Sequence, residues 1–255
     1  MILCPVCKVK SYLIWRERQY RVYRCKNCKV AFLYPLPENT SFIYNDEYFK
    51  NWYIKYHSER KNYIKKLFSI IERDIELKGK LLDVGCGTGI LLEVAKEKGC
   101  EVYGQDISPF AVTHCRNKGF DVYDKPLPEL NLPENSFDII TMFDVIAHFK
   151  DPVSYIKTVA KILKQGGYLI IKTPYHSPLL FFLSNLLSFT GKSRALLHIP
   201  AQIFHFNYQS LNLLLSNNNL KLINSIIIDD FSLLDKPIFL RIISGKSLIT
   251  MWQKL

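Results

Sequence analysis

From Gly79 onward, apolar and polar positions alternate between two rhythms. The short runs "KLLDVG", "EVYGQD" and "FDIITMF" have strand character, and a stretch with helical spacing follows each of them. The first run predicts a helix over 89 to 98. The second leads into a helix opened by Ser108 as N-cap and Pro109 as first residue, and the third into one opened by Asp151 and Pro152. "GGYLIIKTP" is a further buried strand, predicted to start after the glycines that stop this last helix. Repeated strand and helix units predict an α/β fold, a doubly wound and mostly parallel sheet with helices on both faces. Ahead of it, Ile64, Leu67, Phe68, Ile71 and Ile75 fall on one helical stripe. Together with the turn-rich "YPLPENTS" and the aromatic "YNDEYFKNWYIKYH", this stripe marks residues 35 to 78 as a helical linker and cap.

Residues 1 to 34 follow a different plan. Cys4-Pro-Val-Cys7 and Cys25-Lys-Asn-Cys28 are two matching knuckles, and the alternating "YLIWRERQYRVYR" between them predicts a hairpin. Four thiolates at this spacing form a closed tetrahedral Zn2+ site, which holds a fold and leaves no coordination position for chemistry. The alternative is four unrelated reduced cysteines. The formal charge of +11 is concentrated here, because residues 1 to 30 carry eight basic residues against Glu17 alone. Either the coding composition is biased, or Arg16, Arg18 and Arg24 share a strand face with Tyr20 and grip nucleic acid. The start of the chain lacks the pattern of a secretory signal, which makes a reducing cytoplasm the expected location. No apolar run reaches the ~20 residues of a membrane span.

The first predicted strand ends in Asp83 and runs into Gly85, Gly87 and Gly89 on alternate positions. A dinucleotide fingerprint needs its third glycine one place later, where this chain has Ile90, and no Lys-Ser/Thr pair follows for an ATP loop. A carboxylate at that strand tip repels a diphosphate and attracts an ammonium or sulfonium group. Asp106 ends the second strand and is placed to accept both hydroxyls of a ribose. The expected ligand is therefore a nucleoside carrying a cation.

Four stretches, "LLDVGCGTGILLEVA", "VYGQDISPFAV", "LPENSFDIITMFDVIAHFKDP" and "VAKILKQGGYLIIKTP", cover most of residues 80 to 174. In order and spacing they resemble the class I S-adenosylmethionine-dependent methyltransferases. With "YRCKNCKVAFLYPLP" and "YNDEYF", the N-terminal part looks like the small-molecule branch that carries a zinc ribbon before the catalytic domain. The resemblance implies that Asp83, Gly85, Gly87 and Gly89 meet the methionine end of the donor, Asp106 the ribose, and Pro126 and Leu127 the adenine. Cys86, Ile107 and Phe143 complete the implied cofactor set. Only Asp124 offers an acidic group near the adenine edge.

His148 follows the fourth strand and is the first candidate for a general base, the alternative being a structural or helix-capping histidine. Asp144 and His205 stand behind it. His176 and His198 have no assigned role. Relatives commonly read Glu-His where this chain has Ala147-His148, and Glu-His again where it has Ala201-Gln202.

Residues 79 to 255 are the expected methyltransferase domain, with a substrate-side insertion at about 175 to 206. Within it, "PLLFFLSNLLSF" is apolar apart from a stripe of Ser184, Asn185 and Ser188. It fits a lid, an interfacial element for a lipid-linked substrate with peripheral membrane contact, or ordinary burial. Three functions follow. The first is methylation of a small-molecule, lipid-linked or cell-surface sugar acceptor, the second RNA base methylation through the basic ribbon, and the third donor binding without catalysis. The C-terminal "KPIFLRIISGKSLITMWQKL" fits either a last strand with a helix or a basic amphipathic tail.

Overall fold

The computed structural model describes residues 1–17, 19–38, 45–176, 178–187, 197–229 and 246–255. Strands β1 (Ser11–Glu17), β2 (Tyr20–Cys25) and β3 (Ala31–Tyr34) make the predicted N-terminal ribbon. A short helix α1 (Asp46–Phe49), a π-helical turn at Lys50–Ile54 and helix α2 (His57–Ile71) follow. The α/β part then runs β4 (Lys80–Val84), α3 (Ile90–Glu97), β5 (Glu101–Gln105), α4 (Pro109–Asn117), β6 (Asp121–Tyr123) and β7 (Phe137–Phe143). After it come α5 (Pro152–Ile162), β8 (Leu163–Pro174), α6 (Pro178–Leu187), β9 (Phe204–His205), α7 (Tyr208–Ser216), β10 (Leu220–Asp229) and β11 (Lys246–Lys254).

Seven strands form the main sheet in the order β10-β11-β8-β7-β4-β5-β6. The stretch from β6 to β8 is parallel, whereas β11 enters antiparallel to both β8 and β10. Successive apolar residues along a strand point to opposite faces, so both faces of a buried sheet need covering. Leu81, Ile139, Ile170 and Ile249 meet Leu67, Phe68 and Ile71 of α2 and Leu91 and Val94 of α3. Leu82, Ile140, Leu169 and Trp252 meet Ile156 and Val159 of α5 and Leu211 and Leu214 of α7. The predicted three-layer architecture is present, and the C-terminal stretch is a strand inside it, with 236–245 outside the described residues.

Two local expectations change. Ser108 and Asp151 cap their helices as predicted, each accepting a backbone N–H. However, α5 ends at Ile162 and β8 starts at Leu163, so Gly166 and Gly167 do not stop the helix. They lie where the step from Leu163 to Tyr168 faces the shorter step from Phe137 to Ile139, and Gly166 takes a φ of +74° there. Extra residues on one strand need such a backbone, which glycine adopts without strain. The second change concerns the arginine stripe. Arg16 pairs with Arg21, while Tyr20, Val22 and Arg24 alternate onto the other face of β2, and Arg18 lies outside the described residues. The basic side chains are therefore divided between the two faces.

The ribbon is also more closely joined to the α/β part than a boundary at residue 34 suggests. β9 comes from the insertion and completes the ribbon sheet in the order β1-β2-β3-β9, with Phe32 opposite Phe204 and Ala31 opposite His205. Phe32, Cys4, Cys25 and Cys28 belong to the same buried cluster as Leu82, Met142 and Phe206.

Candidate active site

The glycine bend after β4 is a consequence of space. Gly85 has φ +76°, and a Cβ there would lie 2.7 Å from Val145 Cγ2. Both the Gly85 and the Cys86 N–H donate to the Gln105 carbonyl, at 2.7 and 3.0 Å, which ties the bend to the end of β5. Gly89, in the left-handed region at φ +79°, turns the chain into α3. A Cβ on Gly104 of β5 would sit 2.8 Å from Cys86 Sγ, so the neighbouring strand also needs a glycine.

Two carboxylates flank this bend. Asp83 is 3% exposed and accepts a 2.6 Å hydrogen bond from Thr141 Oγ1. Burial pushes its pKa up to about 7, with the Asp106 carboxylate acting in the same direction and the Thr141 hydroxyl opposing. Asp106 accepts the N–H groups of Gly87 and Ser108, each at 2.9 Å, and burial raises its pKa as well. A carboxylate offers about four acceptor sites, and with the Ile107 N–H also acting on it Asp106 still has capacity for a ligand hydroxyl. A second anion here would face two buried acids, whereas a cation would relieve both.

The cleft beyond the bend is lined by Asp83, Gly85, Cys86, Phe143 and Asp144 and, from the N-terminal segment, by Tyr53, Arg60, Tyr63 and Ile64. Residues 35 to 78 are thus a wall of the site as well as a connector. The Arg60 guanidinium lies 4.2 Å from the Tyr53 ring centre and donates to the Trp52 carbonyl at 2.7 Å. Glu93 of α3 accepts from His57 at 3.1 Å, Lys61 at 3.0 Å and Lys118 at 2.8 Å, which fastens α2 over the bend. Burial would raise the Glu93 pKa, but these three partners outweigh it and hold it at about 2. Tyr53, Arg60 and Tyr63 escaped the sequence reading because no glycine or acidic pattern marks them; the π-helical turn that presents Tyr53 has no sequence signature.

Residues 56–225 match the methyltransferase domain family. This chain belongs to that family.

Among curated relatives, ubiquinone biosynthesis O-methyltransferase of Aliivibrio fischeri is 34% identical over 101 residues, covering 37% of this chain and 43% of its own length. The same enzyme of Pseudomonas entomophila is 34% identical over 122 residues, covering 45% and 53%. The chain thus spans about half the length of the curated relatives it matches. In three dimensions it resembles a SAM-dependent methyltransferase of Methanosarcina mazei, with TM-score 0.57, 20% identity and coverage of 73% of this chain and 97% of that one. It also resembles magnesium protoporphyrin IX methyltransferase of Synechocystis, with TM-score 0.55, 18% identity and coverage of 77% and 83%. These likenesses establish the fold.

The bend, the two acids and the uncovered cleft fit S-adenosylmethionine (SAM), the donor of this family. Asp83 and Gly85 border the cleft where a methionine end would lie, and Asp106 retains acceptor capacity for a ribose. Ile107 is 62% exposed beside it, an open apolar surface for a base. Pro126 is half-buried, but the Leu127 side chain is fully buried in the core and cannot meet the adenine. Asp144 has φ +57° and is held by Lys172 Nζ at 2.5 Å, while Lys172 itself is 2% exposed.

His148 closes a short turn that begins just after Val145, the residue packed on Gly85. Its Nδ1 lies 2.7 Å from the Ala201 carbonyl. A carbonyl only accepts, so Nδ1 carries the proton and the basic lone pair of the neutral ring belongs to Nε2. Burial lowers the His148 pKa, and the carbonyls of Ala201 and Asp144 pull it the other way. Ala147 is 1% exposed and its carbonyl accepts from Ile203, so a glutamate in its place would bury a carboxylate. His205 lies on β9, which packs against this turn, with its ring 4.8 Å from that of His176.

Charge neutralisation at Asp83 is open to test. Asp83→Asn keeps the acceptor for Thr141 and removes the charge, so SAM affinity should fall by roughly 10- to 100-fold with the fold intact. In the unsubstituted protein, affinity should rise as pH passes through about 7 and Asp83 ionises. Calorimetry between pH 6 and 8 measures both effects; equal affinity in the variant would remove Asp83 from the donor site.

Proposed function

We propose that this protein transfers a methyl group from SAM to an oxygen of a small-molecule acceptor, with His148 as general base. The observation that supports this reading best is the buried Asp83 at the cleft, with Asp106 bonded to the glycine bend and Val145, which leads into the His148 turn, packed on Gly85. The curated relatives named as O-methyltransferases support oxygen as the acceptor atom. When bound, SAM supplies an electrophilic methyl on a sulfonium. The chain itself has to align the acceptor with that methyl and remove one proton. The insertion backbone holds His148 through its Nδ1, and in this reading the ring takes the hydroxyl proton as the oxygen is methylated.

An acceptor with an apolar portion suits the insertion. On α6, Phe182 is 65% and Leu186 61% exposed, while Ser184 is fully buried. The outward side of this helix therefore carries Phe182 and Leu186 together with the exposed Asn185, so the expected polar stripe is divided, with Ser188 outside the described residues. An apolar acceptor, or the membrane surface bearing a lipid-linked one, would meet Phe182 and Leu186. No helix among the described residues is long and apolar enough to cross a membrane. The division of the ribbon's arginines between two faces gives no support to an RNA grip.

The ribbon is proposed to hold structural zinc. The Sγ atoms of Cys4, Cys7, Cys25 and Cys28 all lie within 4.8 Å of one another, with Cys4 to Cys28 and Cys7 to Cys28 at 3.7 Å. Four sulfurs about 2.3 Å from a tetrahedral zinc stand about 3.8 Å apart, so the donor set fits. Burial raises the Cys25 pKa, and hydrogen bonding to Cys4 followed by burial raises that of Cys28, so full ionisation of the set needs a cation. Because the cysteines share the catalytic core, a strong chelator should lower the melting temperature of the whole chain in one transition. Separate early melting of the ribbon would show an independent module, and an unchanged melting curve would exclude the metal.

His148→Ala should lower turnover by about 10²- to 10⁴-fold while leaving SAM affinity nearly unchanged. The acid limb of the pH profile should lie below the ordinary histidine value of about 6.5. Methyl label from SAM, offered to fractionated cell extract, should enter a small-molecule or lipid fraction. Label in RNA instead, or an equal loss of SAM binding in the variant, would contradict the assignment.

A further inference from the structure

We propose that the face between the ribbon sheet and the insertion binds an anionic oxygen group of the methyl acceptor, with Arg24, His176 and His205 as its donors. This inference rests on the reading of the chain as a small-molecule methyltransferase and names the chemistry of its acceptor. The strand register assembles the site. Arg24 lies opposite Ala31 on β3, and Ala31 lies opposite His205 on β9, so an arginine and a histidine flank one methyl group on the same sheet face. Cys25 alternates to the other face, into the cluster that contains the cysteine knuckles, so Arg24 is turned away from the metal centre.

The insertion covers this row with Phe181. Its ring centre is 4.6 Å from Arg24 Cζ, 6.0 Å from both the His176 and His205 rings and 6.2 Å from that of Trp15. Around this one ring, His205 Nδ1 and Nε2, His176 Nδ1, Arg24 Nε and Trp15 Nε1 are enclosed and have no hydrogen-bond partner. His205 is itself 2% exposed. Buried polar atoms are ordinarily paired, so five orphans in one place, three of them on the buried rings of His205 and Trp15, point to a partner that arrives with the ligand.

The sign of that partner follows from the surroundings. The charges that act on His205 come from His176, His198, His148 and Arg24, all of which repel a proton; burial contributes most to holding the ring neutral. A guanidinium with neutral imidazole N–H groups and an indole N–H suits a carboxylate or phosphate, and Arg24 disfavours a metal ion between the two histidines. His148 is among the groups that act on His205, so an acceptor anchored here extends toward the proposed base.

The test is a titration of the full-length protein with benzoate, inorganic phosphate and neutral benzamide, followed by NMR of the histidine rings and the Trp15 indole. Benzoate or phosphate should shift the His176, His205 and Trp15 signals in a saturable way, with benzamide without effect. Response to benzoate alone would identify a carboxylate acceptor, and to phosphate alone a phosphorylated one. Arg24→Gln should weaken the anion by about tenfold, Arg24→Lys should recover part of the loss, and His205→Asn should weaken it with Arg24 still in place. S-adenosylhomocysteine affinity should stay unchanged in all three. Shifts by neither anion, an equal effect of benzamide, or full binding in both Arg24→Gln and His205→Asn would overturn the proposal. Anion binding with no affinity for S-adenosylhomocysteine would support the subsite and count against the methyl-donor reading instead.

Discussion

Two carboxylates at neighbouring strand tips set the terms for the rest of this site. Asp83 and Asp106 stand at the ends of adjacent parallel strands on either side of the glycine bend, Asp83 buried and Asp106 half-buried. Burying such a pair is costly, and the protein meets the cost in part by letting Asp83 hold its proton up to about pH 7. A cationic ligand removes that penalty where an anionic one increases it. The same acids therefore position the glycine bend, through Gly87 and Thr141, and select the charge of what it receives.

The second constraint is that the ribbon and the insertion complete each other. β9 is two residues long and would have little stability on its own. Paired to β3 and packed through Phe204 on Phe32, it fixes the backbone that holds His148 and Ala147. The ribbon thus reaches the proposed base through structure: cysteine knuckles hold β2 and β3, β3 holds β9, and the segment leading into β9 orients the His148 ring.

Much of this was legible in the sequence because it depends on local chemistry. The strand and helix rhythm, the caps at Ser108 and Asp151, the cysteine knuckles and the Asp83 to Gly89 bend each need particular residue types at fixed spacing. What escaped depends on contacts between distant residues. Tyr53, Arg60 and Tyr63 reach the cleft because α2 is held on α3, by the Glu93 clamp and by the apolar cluster the two helices share. The Leu127 side chain points into the core, although its place after the third strand suggested a base contact. On α6 the expected polar stripe is divided, with Asn185 exposed and Ser184 buried, because tertiary packing and not helical periodicity alone decides which side is covered. The glycines before "YLIIKTP" marked an irregular strand rather than a helix end, because Gly166 supplies a positive φ that serves either purpose.

The most direct test of the account is calorimetry of SAM binding at pH 7 in two buffers of different ionisation heat. If a cationic donor settles beside a half-protonated Asp83, binding should release on the order of half a proton per chain. Binding without proton release, or a preference for a nicotinamide or flavin dinucleotide over SAM, would contradict it.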